Sequence, residues 1–200
     1  MVSPLSGTEK GEYFDVTPYS QAAADYLMGF IKTVKLPRKL KVAFSNSHAN
    51  QTHATFRDLG FVATPEGKFD VYSAGGLGNN PKMGLLVAAG VEPSKILYYI
   101  KAMVDTFMTY GNYENRAKAR TRYMQDVLGK EGYVKAYQEK LDQLESMLLD
   151  QYSSIADDRF VWGYRLGVRT ILDAMSTGAG KGPLPNWVRM GRQPKQVRSG

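Results

Sequence analysis

Two lysines separated by one residue are the first feature of this sequence that could carry chemistry. Lys39 and Lys41 lie in the segment 36–47, where basic or small residues alternate with apolar ones: Lys39-Leu40-Lys41-Val42-Ala43-Phe44. This alternation predicts a strand with an apolar face, so both lysines would point the same way, about 7 Å apart. Two ammonium groups at that spacing repel each other unless an anion lies over both. The pair therefore indicates either a solvated basic strand end or an anion site.

The composition favours an anionic partner and excludes thiol chemistry. The formal net charge is +7, as expected for a protein that meets a phosphate, a carboxylated cofactor, an oxyanion or nucleic acid. The chain contains no cysteine, which excludes disulfides, cysteine nucleophiles and iron–sulfur ligation by these residues. The two histidines, His48 and His53, lie five residues apart in a polar segment and form no metal-ligand pattern. We therefore predict no metal site in this chain.

The length and hydrophobicity fit one ordinary domain with a core, or one domain with an appendage. The chain has 200 residues, of which 43% are hydrophobic. It contains no run of 18 apolar residues, and its N-terminal residues lack the apolar stretch of a signal peptide. We therefore expect a soluble, cytoplasmic protein without a membrane partner.

Local patterns predict the elements that must position the two lysines. Thr17 followed by proline predicts a helix start with Thr17 as the N-cap, and an apolar stripe carries this helix over about 17–34. The segments 58–63 and 68–73, separated by a Pro-Glu-Gly turn, predict a β-hairpin. The lysine strand is thus expected between a helix and a hairpin.

A glycine-rich run follows the second strand of that hairpin. It contains Gly75, Gly76 and Gly78. Glycines directly after a strand let the backbone approach a ligand closely or expose N–H groups to an anion. Their spacing is neither that of a dinucleotide fingerprint nor that of a phosphate-binding loop. The run is therefore either part of a ligand site or a tight turn without a ligand.

Two further helices are predicted before residue 130, and the second is strongly basic. An apolar stripe predicts a helix over about 93–110. The next predicted helix, 114–128, carries four cations: Arg116, Lys118, Arg120 and Arg122. On a continuous helix the first and third share one face, and the second and fourth share another. With almost no acid nearby, they indicate either a solvated basic helix or a surface that needs a counter-anion.

The chain divides into three parts by composition. Residues 1–130 form the module with strands and helices, 131–176 are predicted to be a helical extension, and 177–200 a basic linker or tail without an acid. We predict an α+β fold: a small mixed β-sheet with helices packed on one face, plus the helical C-terminal extension.

Taken in order, these motifs resemble the assimilatory sulfite and nitrite reductases that carry siroheme. The resemblance covers about residues 1–130 and is carried by five motifs in sequence order: Leu-Pro-Arg-Lys-Leu-Lys at 36–41, Asp-Leu-Gly-Phe-Val-Ala at 58–63, the glycine run at 75–78, Gly-Asn at 111–112, and the basic run at 116–123. The resemblance implies a nitrite/sulfite reductase hemoprotein-like module.

The resemblance also implies roles for the two lysines. In the family, lysines at the positions of Lys39 and Lys41 lie on the substrate face of siroheme, bind the oxyanion and help deliver protons during a six-electron reduction. Members specialised for nitrite tend to have asparagine at the position of Lys41, so lysine leans toward sulfite. These two residues are the catalytic candidates.

The cofactor contacts implied by the resemblance come from other residues. Arg38 and Arg120 match cationic positions that contact the carboxylates of siroheme, and Gly75 and Gly76 are the backbone candidates for cofactor binding. Arginine suits carboxylates because its guanidinium pairs with them through two hydrogen bonds.

The sequence departs from the family in ways that bear on activity. Family members are more than twice as long and contain two copies of this module, and the four cysteines of the [4Fe–4S] cluster come from the second copy. The resemblance therefore implies siroheme shared with a cysteine-bearing second half, a cluster not bound by this chain, and an electron donor such as ferredoxin. Alone, the chain is not expected to reduce sulfite or nitrite; within such an enzyme it is.

Other functions remain open. The basic surface could serve a non-catalytic module that binds a tetrapyrrole or another polyanion, or the chain could be an inactive fragment. A nucleic-acid partner is suggested only by the basic helix and tail, and no recognised nucleic-acid motif supports it. The sheet face opposite the helices is expected to meet the second half, and its exposure in the isolated chain predicts self-association.

Overall fold

The fold is a four-stranded sheet with helices, and the computed structural model describes residues 1–153, 163–169 and 171–172. The strands are β1 (Val42–Ser45), β2 (Leu59–Ala63), β3 (Phe69–Ser73) and β4 (Leu85–Val91). Within residues 1–153 the helices are α1 (Thr17–Phe30), α2 (Ile96–Tyr110), α3 (Met124–Leu128) and α4 (Lys130–Ser153). Short 3₁₀ turns lie at Ala54–Phe56, Pro93–Lys95, Arg116–Lys118 and Thr121–Tyr123.

The sheet is mixed, as predicted, with the strands in the order β1-β2-β3-β4. β1 and β2 are parallel, starting with the pair Val42 and Leu59, whereas β2–β3 and β3–β4 are antiparallel. The predicted hairpin is confirmed over β2 and β3. Every residue of β1 and β2 is buried, so both faces of this half of the sheet are covered.

The main core lies between one sheet face and the helices. Phe44 of β1 stacks on Phe61 of β2 with ring centroids 4.7 Å apart, and Phe69 of β3 meets both rings edge-on. From α4, Tyr133 and Tyr137 are buried in this same core. Helix α4 therefore completes the core that the sheet begins, while a domain boundary at residue 130 stays a prediction.

The second sheet face is partly covered by the crossover that joins the parallel strands. Its 3₁₀ turn places Ala54 over β2, where Ala54 and Val62 share a small apolar cluster. A Cβ atom at Gly60 would overlap the carbonyl carbon and oxygen of Ala54, so only glycine permits this approach. Farther across the same face, Tyr72 is half-buried and Leu86 is exposed.

The long helices are confirmed, with corrections at the first one. α1 begins at Thr17 but ends at Phe30, so the prediction to residue 34 was too long. Thr17 is not the N-cap; its backbone N–H donates to the carboxylate of Asp15, 2.9 Å away. The Asp15 side chain thus satisfies an N–H that helix geometry leaves unpaired. α2 ends at Tyr110, directly before Gly111, as predicted.

The predicted continuous helix over 114–128 is wrong. The backbone instead forms two 3₁₀ turns and the short helix α3. Side chains of Asn112 and Asn115 accept hydrogen bonds from nearby backbone N–H groups, at 2.7–3.0 Å, and such local bonds compete with helix formation. Arg120 is extended, with φ −83° and ψ 150°, which separates the two turns.

Strand β4 was not predicted. Its sequence, Leu-Leu-Val-Ala-Ala-Gly-Val, lacks regular alternation, and its pairing with β3 is irregular between Phe69 and Tyr72. The described residues 163–169 and 171–172 are helical, and Gly167 lies close against Leu97 of α2. The rest of the predicted helical extension 131–176 beyond Ser153, and the predicted tail 177–200, lie outside the described residues.

None of the helices in the described ranges combines the length and the apolar character that a bilayer crossing requires.

Candidate functional site

The residues that carry the two lysines, 35–41, are held in place from outside the sheet; we call them the basic segment. The hydroxyl of Tyr113 donates to the carbonyl oxygen of Lys35, 3.0 Å away. The guanidinium Nη1 of Arg120 donates to the carbonyl oxygen of Lys39, 3.4 Å away. The fold therefore brings Arg120 beside the backbone of Lys39.

The prediction that Lys39 and Lys41 lie on a strand is wrong. β1 begins one residue later, at Val42, and both lysine side chains are exposed. The N–H of Lys41 donates to the side chain of Asp58, 2.8 Å away, while its carbonyl oxygen accepts from the N–H of Leu59 at 3.2 Å. The side chain of Asp58 thus takes the place of a backbone partner just before the ladder begins.

Asp58 is a buried carboxylate that contacts both the basic segment and the basic run at 116–123. One oxygen accepts the hydrogen bond from Lys41, and the other accepts one from the hydroxyl of Thr121. Burial raises the pKa of Asp58, although these two hydrogen bonds and the charges of Arg120 and Lys41 act in the opposite direction. The ionised carboxylate is thus held in the interior at a desolvation cost.

The desolvation cost of Asp58 makes the stability of the protein depend on pH in a definite direction. Because burial holds the folded-state pKa of Asp58 above that of a free aspartate, its contribution to stability is fully present at pH values below the pKa of a free aspartate and is lost as the pH rises through the folded-state pKa. We expect urea unfolding to show the free energy of unfolding of Asp58→Asn rising relative to the parent protein over that pH range. A difference that stays constant, or moves toward the parent, would contradict this prediction.

Three arginines form a cationic cluster: Arg38 of the basic segment, with Arg116 and Arg120 beside it. The charge of Arg116 lowers the pKa of Arg38, and burial and the charge of Arg120 act in the same direction. The Nη1 atom of Arg38 is shielded from solvent and has no hydrogen-bond partner in the described part of the chain. The ion pairs found among the described residues join other side chains. A ligand with several carboxylates fits this donor set, since it would satisfy the unpaired N–H and offset the repulsion.

The glycine run is tightly packed within the chain. The N–H groups of Gly75 and Gly76 donate to the carbonyl oxygens of Arg57 and Lys82, each at 2.9 Å, so neither is free to bind an anion. A Cβ at Gly75 would stand 2.9 Å from the carbonyl oxygen of Arg57, and one at Gly76 would stand 3.2 Å from Nη1 of Arg122. A role in cofactor binding through close backbone approach stays a prediction for both glycines.

Two residues shape this region in ways that the sequence analysis did not predict: Arg122, which it counted only as a cation of the basic helix, and Gln125, which it did not single out. Arg122 donates to the carbonyl oxygen of Asn79 at 2.8 Å, and Gln125 donates to those of Ala74 and Met83, each at 2.8 Å. Both side chains are buried, and they hold the two ends of the glycine run. The sequence signal that could have identified them was that each is a polar residue within the predicted helix 114–128 and belongs to no apolar stripe.

A surface cavity of about 320 Å³ opens next to the cationic cluster. Its lining includes Arg120, Lys118, Tyr110 and Tyr123. Arg120 therefore lies between this cavity and the backbone of Lys39. Among the described residues, no group of three or more His, Cys, Asp or Glu side chains could hold a metal ion.

Similarity to known proteins extends over the whole of this region. Residues 1–144 match the sequence model of the family described as the nitrite and sulphite reductase 4Fe-4S domain. The chain is similar to the chloroplastic ferredoxin–nitrite reductase of Zea mays, with 28% identity over 64% of this chain and 24% of that protein. It is also similar to the sulfite reductase [NADPH] hemoprotein beta-component of Leptospira biflexa, with 31% identity over 66% of this chain and 25% of that protein.

A solved structure shows that the similarity extends to the fold. The structure of the Mycobacterium tuberculosis NirA protein superposes with a TM-score of 0.59 and 27% identity, over 72% of this chain and 26% of that one. The chain thus spans about a quarter of the length of the relatives it matches. The matched residues include the basic segment, the sheet and the arginine cluster.

Proposed function

The chain belongs to the nitrite and sulphite reductase 4Fe-4S domain family, and from this membership we propose that it forms part of a siroheme- and [4Fe–4S]-dependent sulfite or nitrite reductase. The observation that carries the proposal is a solvent-shielded Nη1 of Arg38 that has no hydrogen-bond partner among the described residues, in a cluster of arginines beside two exposed lysines. Such a surface suits a polycarboxylate ligand with a small anion nearby.

The charged residues divide into two roles in this proposal. Arg38 and Arg120 bind carboxylates of siroheme. Lys39 and Lys41 bind the oxyanion, stabilise negative charge as its bonds break, and supply protons from their ammonium groups. Bound siroheme would supply the iron at which the substrate undergoes six-electron reduction. Lysine rather than asparagine at 41 favours sulfite, although the similar proteins include enzymes named for either substrate.

The complete enzyme needs residues that this sequence does not contain. The 200 residues include no cysteine, so the thiolates of a [4Fe–4S] cluster must come from a cysteine-bearing half outside this sequence. The relative from Zea mays is named for ferredoxin, and a similar electron donor is part of our proposal. Self-association and a cytoplasmic location stay predictions; the Zea mays relative is named chloroplastic.

Titration of the purified chain with siroheme, followed by visible absorption, tests the proposal. We expect Arg38→Ala to weaken binding by about tenfold or more, because a charge-assisted hydrogen bond is lost. Arg38→Lys should fall between the two, since it keeps the charge but loses the paired donors. Lys135→Ala, which removes an exposed lysine of α4, is the matched control and should bind like the parent.

The same titration separates the alternatives. Binding only after addition of the cysteine-bearing half would mean that the site is shared and that this chain forms one wall of it. Binding with no reductase activity in the completed enzyme would favour a non-catalytic tetrapyrrole-binding module. No binding in either case would refute the siroheme assignment.

A further inference from the structure

One buried carboxylate joins the two stretches of chain that carry the candidate site. Asp58 is 6% exposed and accepts hydrogen bonds from the N–H of Lys41 at 2.8 Å and from the hydroxyl of Thr121, which is fully buried. Lys41 belongs to the basic segment, and Thr121 directly follows Arg120. A contact between these two distant stretches therefore runs through a single side chain.

The backbone around Lys41 is fixed on both sides by this arrangement. Its N–H is held by Asp58, and its carbonyl oxygen is held by the N–H of Leu59 on β2. In the described part of the chain, Arg120 contacts the basic segment through its 3.4 Å hydrogen bond to the carbonyl oxygen of Lys39, and the next residue, Thr121, is linked to Lys41 through Asp58. Without the Thr121 hydroxyl the arginine stretch would lose its link to Asp58, whereas Lys41 would keep both of its backbone hydrogen bonds.

The charge of Asp58 explains why both donors face it. A carboxylate accepts hydrogen bonds only, and bonds to an ionised acceptor are roughly twice as strong as neutral ones. The nearby charges of Arg120 and Lys41 also favour the ionised form. An asparagine at this position could keep both contacts if the hydroxyl of Thr121 turned to accept, but it would lose the charge.

We propose that Asp58 and Thr121 form a positioning pair that sets where Arg120 lies relative to Lys41, and so fixes the spacing of the anion site. The proposal rests on the proposed function for its consequence, since the spacing matters if the two cations share a ligand. The pair itself binds no substrate, because both of its polar groups are buried and engaged with each other or with Lys41.

Amide hydrogen exchange on the full 200-residue chain tests this role directly. Thr121→Val keeps the shape and removes the hydroxyl, whereas Thr121→Ser restores a hydroxyl and is the matched control. In Thr121→Val, exchange at Tyr123, whose N–H bonds to the carbonyl oxygen of Arg120, should accelerate by roughly 10- to 100-fold, with a smaller increase at Lys41. Exchange in β3 should stay unchanged, and Thr121→Ser should behave like the parent.

Siroheme affinity, measured on the same proteins, gives the second readout. We expect Thr121→Val to bind siroheme about tenfold more weakly and Thr121→Ser to recover the parent affinity. If Thr121→Val does not fold, Asp58→Asn replaces it, and a smaller acceleration confined to the same amides is the expected result.

Three outcomes would overturn the positioning pair. They are an unchanged exchange rate at Tyr123 in Thr121→Val, an acceleration that is equal throughout β3, and a failure of Thr121→Ser to restore the parent rates. Failure of the parent chain to bind siroheme, alone or with the cysteine-bearing half, would instead overturn the proposed function, and the exchange pattern would then decide the positioning pair by itself.

Discussion

Replacing Lys41 by alanine should lower sulfite reduction by the complete reductase about 100- to 1,000-fold, the range for loss of one group that stabilises developing negative charge. The side chain is exposed, while its backbone is bound on both sides by Asp58 and Leu59. Truncation at the β-carbon therefore removes the ammonium group and leaves its surroundings in place. Steady-state kinetics should show the loss in kcat as well as in kcat/KM, because the charge acts most strongly as bonds break.

Two further variants make that result specific. Lys39→Ala should produce a comparable loss, since both lysines are assigned to the same anion. Lys135→Ala removes a lysine of equal size from the exposed side of α4 and should leave the rate unchanged. Retained sulfite reduction in both Lys39→Ala and Lys41→Ala would refute the assignment of the substrate site to the basic segment.

Gly60→Ala should lower the free energy of unfolding by about 3 kcal/mol, although it adds a single methyl group. The added carbon would overlap the backbone carbonyl of Ala54, which has no side-chain freedom with which to move aside. Relief would require lifting the crossover off the sheet, and the crossover leads directly into Asp58. Urea or thermal unfolding of the purified variant measures the effect.

Gly29→Ala provides the opposite case within the same chain. Gly29 lies in α1, and a Cβ there would meet no atom within 4 Å. Because alanine favours the helix over glycine by about 1 kcal/mol, this variant should be more stable than the parent. Equal destabilisation by the two substitutions would show that glycine at 60 is not required by the approach of Ala54.

The parts of the fold that could be predicted are those with local signals. The hairpin of β2 and β3 follows from two apolar runs around a turn, and α2 follows from an apolar stripe that ends at Gly111. β4 escaped prediction because its sequence does not alternate and its pairing with β3 is irregular. Its position depends on β3 as a template, which no local pattern in 85–91 encodes.

The candidate site was likewise predictable only in part from the sequence. The resemblance predicts that the basic segment and Arg120 belong to one site, and in the structure Arg120 contacts the carbonyl oxygen of Lys39. The shape of the stretch around Arg120 did not follow, because a helix over 114–128 competes with asparagine side-chain bonds and with the buried bond from Thr121 to Asp58. Asp58 itself looked like an ordinary strand boundary, since both of its donors come from elsewhere in the chain.

The way the basic segment is held also bears on how such a protein could diversify. The two lysines stand just before β1 on irregular backbone, which is held by Tyr113, Arg120 and Asp58 as well as by the N–H of Leu59 on β2. Substitutions at those three supporting positions can shift the lysines without replacing them. Under the proposed function, selection could thus adjust the preferred oxyanion in small steps from neighbouring positions, while both ammonium groups are retained.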